Sequence, residues 1–143
     1  MGFAKDCRST VIPCLRYRDC HKAIDWLVAA LGFEKQAVYD GPNGNVMHAQ
    51  LTFGNGMIML GSVQNESEWS QWMAQPDEIG MRETVTTCLI VDDAEALSAS
   101  AKAAGATIMQ ELAMMPYGGK AFSCRDPEGH LWSIGEYDPW ATN

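Results

Sequence analysis

The chain has 143 residues, 47% of them hydrophobic and 20% charged, with mean hydropathy −0.16 and a formal net charge of −8 from 10 basic and 18 acidic side chains. That length suits one domain, or two small halves sharing a core, burying roughly two thirds of the unfolded surface. The acidic balance argues against nucleic acid or an anionic membrane as partner, since either needs a basic face, and no apolar run approaches the roughly 20 residues of a membrane span.

The predicted elements follow in chain order. A first strand is expected over Thr10 to Tyr17, then Asp19 as N-cap of a helix whose Ile24, Leu27, Val28 and Leu31 recur at helical spacing, with Gly32 as its C-cap. Strands are expected around Lys35 to Tyr39, Val46 to Phe53 and Met57 to Gly61, separated by Gly- and Asn-rich turns. Residues 64–83 read as a polar linker in which Trp69, Trp72 and Met73 have the spacing of a short amphipathic helix, either packed or serving as a lid over a pocket. Beyond it, Asp92 or Asp93 caps a helix carrying Leu97, Ala101 and Ala104 and stopped by Gly105. Strands around Thr107 to Leu112, Lys120 to Cys124 and Leu131 to Ile134 complete the chain, the last after the turn Asp126-Pro127-Glu128-Gly129.

The second half repeats the first at an offset of 73 or 74 residues: "TVIPCLRYRD" meets "TVTTCLIVDD", Cys14 falls on Cys88, Gly32 on Gly105 and Gly56 on Gly129. The fold class is therefore α+β, with two βαβββ modules, about residues 9–63 and 84–138, in one domain. Together they are expected to form a curved mixed sheet around a cavity, helices on the convex side.

Alternation along the strands divides the side chains between the two faces. Met47, Ala49, Leu51 and Phe53 are expected to meet the helix, leaving His48, Gln50 and Thr52 on the concave side. Ile12, Cys14, Arg16, Thr86, Cys88, Ile90, Met57, Met59, Ala121, Ser123, Arg125, Leu131 and Ser133 join that side, whereas Trp132, His130 and Ile134 press on the helix. Such a mixed, largely apolar lining suits a small, partly apolar molecule, although the same alternation would describe a barrel interior filled by its own side chains.

Two βαβββ modules, the "AIDWL…LGF" helix, "GNGMIMLGS" and above all "PYGGKAFSCRDPEGHLWSIGEYDPW" closely resemble the vicinal oxygen chelate superfamily of glyoxalase I, extradiol dioxygenases and bleomycin-resistance proteins. In metal-dependent members of that family the first strand of each module carries a His and the last a Glu. The resemblance maps those places onto Ile12, Thr86, Met59 and Ser133, none of which is a normal ligand for a divalent ion. His21, His48 and His130 have no ligand spacing, Glu136 has the wrong parity, and no Gly-rich phosphate cradle occurs. No metal and no cofactor is therefore expected.

The resemblance to bleomycin-resistance proteins implies a protein of the resistance or sequestration type. Its ligand would stack on Trp69, Trp72 and Tyr117, touch Met57 and Met59, and be oriented by His48, Gln50, Ser123, Arg125 and Ser133. The alternative is a lyase, isomerase or dioxygenase of the same superfamily using a non-standard metal site or an acid-base residue such as His48. A homodimer is implied by the same resemblance. The five cysteines, an odd number without a C-x-x-C pair, suit free thiols in a reducing cytoplasm, and the N-terminus has no apolar h-region, so export is not expected.

Overall fold

The computed structural model describes residues 2–141. In chain order the elements are β1 (Cys14–Tyr17), α1 (Cys20–Trp26, running into a wider turn at Leu27–Leu31), β2 (Glu34–Asp40), β3 (Val46–Phe53), β4 (Gly56–Ser62) and α2 (Trp69–Trp72). They continue as β5 (Thr87–Ile90), α3 (Ala94–Ala103), β6 (Thr107–Met114), β7 (Lys120–Arg125) and β8 (Leu131–Gly135). The class is α+β, and both modules are βαβββ. The first builds a sheet in the order β1-β4-β3-β2 and the second repeats it as β5-β8-β7-β6. In each the first strand lies parallel to the last and the other pairs are antiparallel. The chain forms two compact units, one comprising the chain up to Val28 with Gly32–Gln75, the other Ala29–Leu31 with the chain from Pro76 onward.

In the first unit the Asp19 carboxylate accepts the Lys22 amide at 3.1 Å, opening α1, and Gly32 leaves the helix at φ 84°. The β1 ladder starts at Cys14 rather than Thr10, because Pro13 has no amide to donate and offers only its carbonyl, to Met59. Two local irregularities alter the predicted faces. The wider turn at Leu27–Leu31 rotates Val28 outward, to 36% exposure, while Leu27 is fully buried. On β3 a register shift opposite Tyr39 and Asp40 adds one residue, so Val46 is buried and Met47 is half-exposed. The Ser62 hydroxyl fixes that shift by accepting the Val46 amide at 2.9 Å. Beyond the shift, Ala49 and Leu51 are buried as the alternation requires.

In the second unit Asp93 caps α3 by accepting the Ala96 amide at 3.0 Å. The buried faces of Ala94, Ser98 and Ala101 are small enough to bring the helix close to β6 and β7. Phe122, Cys124, Trp132 and Ile134 are buried together, and Trp132 is the bulkiest fully buried side chain described. Its indole would be costly to bury without a partner, and the turn before β8 supplies one. Asp126, itself buried, accepts the Trp132 Nε1–H at 3.1 Å through one oxygen and the Glu128 and His130 amides at 3.0 and 3.1 Å through the other. One carboxylate thereby shapes the turn and anchors the strand behind it.

Replacing Asp126 by Ala removes the carboxylate that accepts from the buried indole N–H and two turn amides, and is expected to cost about 2–4 kcal/mol in urea denaturation. An unchanged midpoint would contradict this role.

Candidate functional site

The second unit holds a hollow of about 360 Å³ lined by Cys88, Tyr117, Gly118, Lys120, Ala121, Ser133, Gly135 and Tyr137. Strand register explains its position. On the face turned from α3, Cys88, Ser133, Ser123 and Gln110 form one row across β5, β8, β7 and β6, and Ile90, Gly135, Ala121 and Ala113 form the next. Cys14 pairs with Met59, and Met59 with Gln50, in the matching row of the first unit. Where one sheet carries a thioether and an amide side chain, Met59 and Gln50, the other carries two hydroxymethyl groups, Ser133 and Ser123, and of these Ser133 lines the hollow. The floor is close to its lower limit at Gly135, where an added Cβ would lie 3.2 Å from that of Ala121.

The rim is aromatic. Tyr117 and Tyr137 meet edge to face with ring centroids 5.2 Å apart, and both remain at least half-exposed. Tyr117 sits on the tight loop between β6 and β7, in which Met115 donates to Gly119 at 2.8 Å and Gly118 to Met115 at 3.0 Å. Lys120, which starts β7, pairs with Glu95 at 3.1 Å, and this contact, followed by the surrounding carboxylates, holds its ammonium above the ordinary lysine range. Glu136 accepts the Lys120 amide at 2.9 Å and the Ala94 amide at 3.0 Å, and these two bonds hold its carboxyl below the ordinary range.

Of the residues proposed from the sequence, Tyr117 and Ser133 line this hollow. Ser123 lies beside Ser133 and its hydroxyl is 3.4 Å from Gln110 Oε1. The Arg125 guanidinium donates to the Gly129 carbonyl at 2.7 Å and the Met81 carbonyl at 2.6 Å, which commits it to the backbone. His48, Gln50, Met57 and Met59 lie on the matching face of the first unit. There His48 Nε2 is 2.9 Å from Gln50 Oε1, Gln50 in turn donates to Gln36, and the imidazole stacks with Tyr39 at 6.3 Å. Trp69 and Trp72, on the single turn of α2, pack edge to face and are both more than half-exposed. Tyr137 escaped the sequence reasoning, although it continues the parity of Ser133 and Gly135 and was visible in "GEYDPW".

Glu136, between the lining residues Gly135 and Tyr137, is turned onto backbone amides, and His130 is paired at 2.6 Å with Glu83, both largely buried. Among the described residues no group of three or more His, Cys, Asp or Glu side chains is placed to hold an ion. The donors that the β1–β4 and β5–β8 registers bring together are Cys14 with Met59 and Cys88 with Ser133. They do not fit the imidazole and carboxylate set of the metal-dependent relatives.

A family sequence description, "Glyoxalase/Bleomycin resistance protein/Dioxygenase superfamily", matches residues 10–134, and the chain belongs to that superfamily. An uncharacterized Mycobacterium tuberculosis protein, Rv0887c, is 32% identical over 124 residues, 87% of this chain and 72% of its own length. The crystal structure of TioX from Micromonospora sp. ML1 is similar at TM-score 0.69 and 30% identity, covering 91% of this chain and 99% of TioX. A glyoxalase I mutant from Zea mays shares the fold at TM-score 0.62 and 16% identity, covering 87% of this chain and 43% of the maize chain.

The thiols offer a direct check. Burial, and then the Asp126 charge, push Cys124 up to about 11, and Cys20 is also buried, whereas Cys7, Cys14 and Cys88 are exposed. Ellman's reagent at pH 8 is expected to titrate the three exposed thiols in the native protein and the two buried ones only after denaturation. Five fast equivalents would contradict the packing.

Proposed function

We propose that this chain binds a small, partly apolar or aromatic molecule without a metal ion, as a protein of the resistance or sequestration type. The observation that carries the reading is the hollow over the second sheet, with small residues on its floor and Tyr117 and Tyr137 on its rim. Its volume lies within the range of small-molecule sites, at the lower end. The tyrosines offer ring edges and hydroxyls, Ser133 offers a hydroxyl beside the Cys88 thiol, and no imidazole or carboxylate of the lining points to bond-breaking chemistry. Lys120 is paired with Glu95, and the chain carries a net charge of −8, so encounter favours a cationic ligand modestly. The face of the first unit bearing His48, Gln50, Met57 and Met59 is a second apolar surface with fixed polar groups and belongs to the same reading. So does a homodimer, which a monomeric mass in light scattering would remove.

Proflavine, a planar aromatic cation with visible absorbance, serves as the probe. Ser133→Met places in the second sheet the residue that occupies the matching place in the first, and is expected to weaken proflavine binding by about tenfold or more with the fold intact. Equal affinity in the variant, or binding that appears only with added Ni²⁺ or Zn²⁺ and is lost to a chelator, would overturn the reading.

A further inference from the structure

Resting on the ligand reading above, we infer that Glu136 is a positioning residue: its carboxylate holds the Met115–Lys120 loop, and with it Tyr117, at the rim of the hollow, so that ligand affinity depends on this one ionised group. The loop crosses between β6 and β7 in a tight turn whose Gly118 and Gly119 adopt φ 107° and 75°, conformations that side chains rarely take. Gly119 also lies against Glu136, where an added Cβ would stand 2.9 Å from the glutamate Cβ. The Glu136 amide donates to the Lys120 carbonyl at 3.0 Å while its carboxylate accepts the Lys120 amide at 2.9 Å, so backbone and side chain grip the same residue from both sides. The second carboxylate oxygen reaches the first amide of α3, at Ala94. One side chain thereby ties the end of β8, the start of β7 and the start of α3 at the point where the loop turns over the hollow.

Within the loop, Met115 and Gly119 and then Gly118 and Met115 are joined by backbone bonds, while its tip reaches outward. Tyr117 is 61% exposed and meets the edge of Tyr137, which follows Glu136 in sequence. The charged groups facing Glu136 are Lys120 from β7, which favours its ionised form, and Asp93 before α3, which opposes it; Glu95 acts through its pair with Lys120. Two amide donors outweigh the opposing carboxylate. A neutral carboxyl or a carboxamide would set an O–H or N–H against one of those donors and release the loop.

Because the folded carboxyl sits below the unfolded one, its hold is fully present above the ordinary glutamate range and is lost only as pH falls through the lower, folded value. The test compares proflavine titrations of the wild type, Glu136→Gln and Glu136→Asp across pH, together with amide hydrogen exchange at Met115 and Gly118 without ligand. Wild-type affinity is expected to stay level through the ordinary carboxylate range and to fall only below it. Glu136→Gln should bind about tenfold more weakly at neutral pH, lose that pH step and exchange faster at both amides. Glu136→Asp, which keeps the charge on a shorter arm, should recover part of the affinity and keep the step. Unchanged affinity, a retained pH step or unchanged exchange in Glu136→Gln would overturn the inference. Should the wild type fail to bind proflavine, the ligand reading fails and the exchange data alone decide whether Glu136 holds the loop.

Discussion

Everything proposed for this chain depends on a register. In the second sheet the parallel pairing of β5 with β8 sets Cys88 against Ser133, and the antiparallel pairing of β7 with β8 sets Ser133 against Ser123. Because a strand shows alternate residues to opposite faces, this register gathers the small residues of three strands on the side away from the helix and sends Trp132, Ile134, Phe122 and Cys124 to the other. A slip of one residue would reverse the two sets, filling the hollow with indole and exposing serines to the helix. The turn at Asp126 prevents that slip, since its carboxylate binds the Trp132 indole directly and so fixes which residue of β8 enters the core.

The two modules share one architecture and differ in the side chains set in equivalent rows. Their strand orders and first-to-last pairings are the same, and their first helices open on an Asp cap in the same way. What differs is the size of the residues in equivalent rows: Met59 and Gln50 against Ser133 and Ser123. In the first unit the face carries a connected polar line, Gln36, Gln50 and His48, stacked on Tyr39. In the second it carries a recess with an aromatic rim.

Much of this was legible in the amino-acid order. The repeat, both Asp caps, the Gly32 and Gly105 stops and the burial of Trp132 follow from local chemistry that acts within a few residues. Other features arise where the chain meets itself at long range and leaves no local trace. The extra residue in β3 that exposes Met47 goes with the bond from the Val46 amide to the Ser62 hydroxyl, 16 positions from Val46. The wide turn that exposes Val28 breaks the helical spacing on which the stripe was read. Arg125 has the parity of a cavity residue, yet Met81 and Gly129 supply the carbonyls that take up its guanidinium. Glu136 was set aside as a metal ligand on parity, and its actual bonds, to Lys120 and Ala94, join segments that sequence spacing does not connect.

The central claim is that shape and apolar contact over the second sheet, without a bound ion, select the ligand. A map of ¹H–¹⁵N chemical-shift changes on adding proflavine, recorded with and without a chelator, examines it most directly. The changes should cluster at Cys88, at residues 117–121 and at residues 133–137, and should be the same in both samples. Changes centred instead on Trp69 and Trp72, or a response that the chelator abolishes, would contradict it.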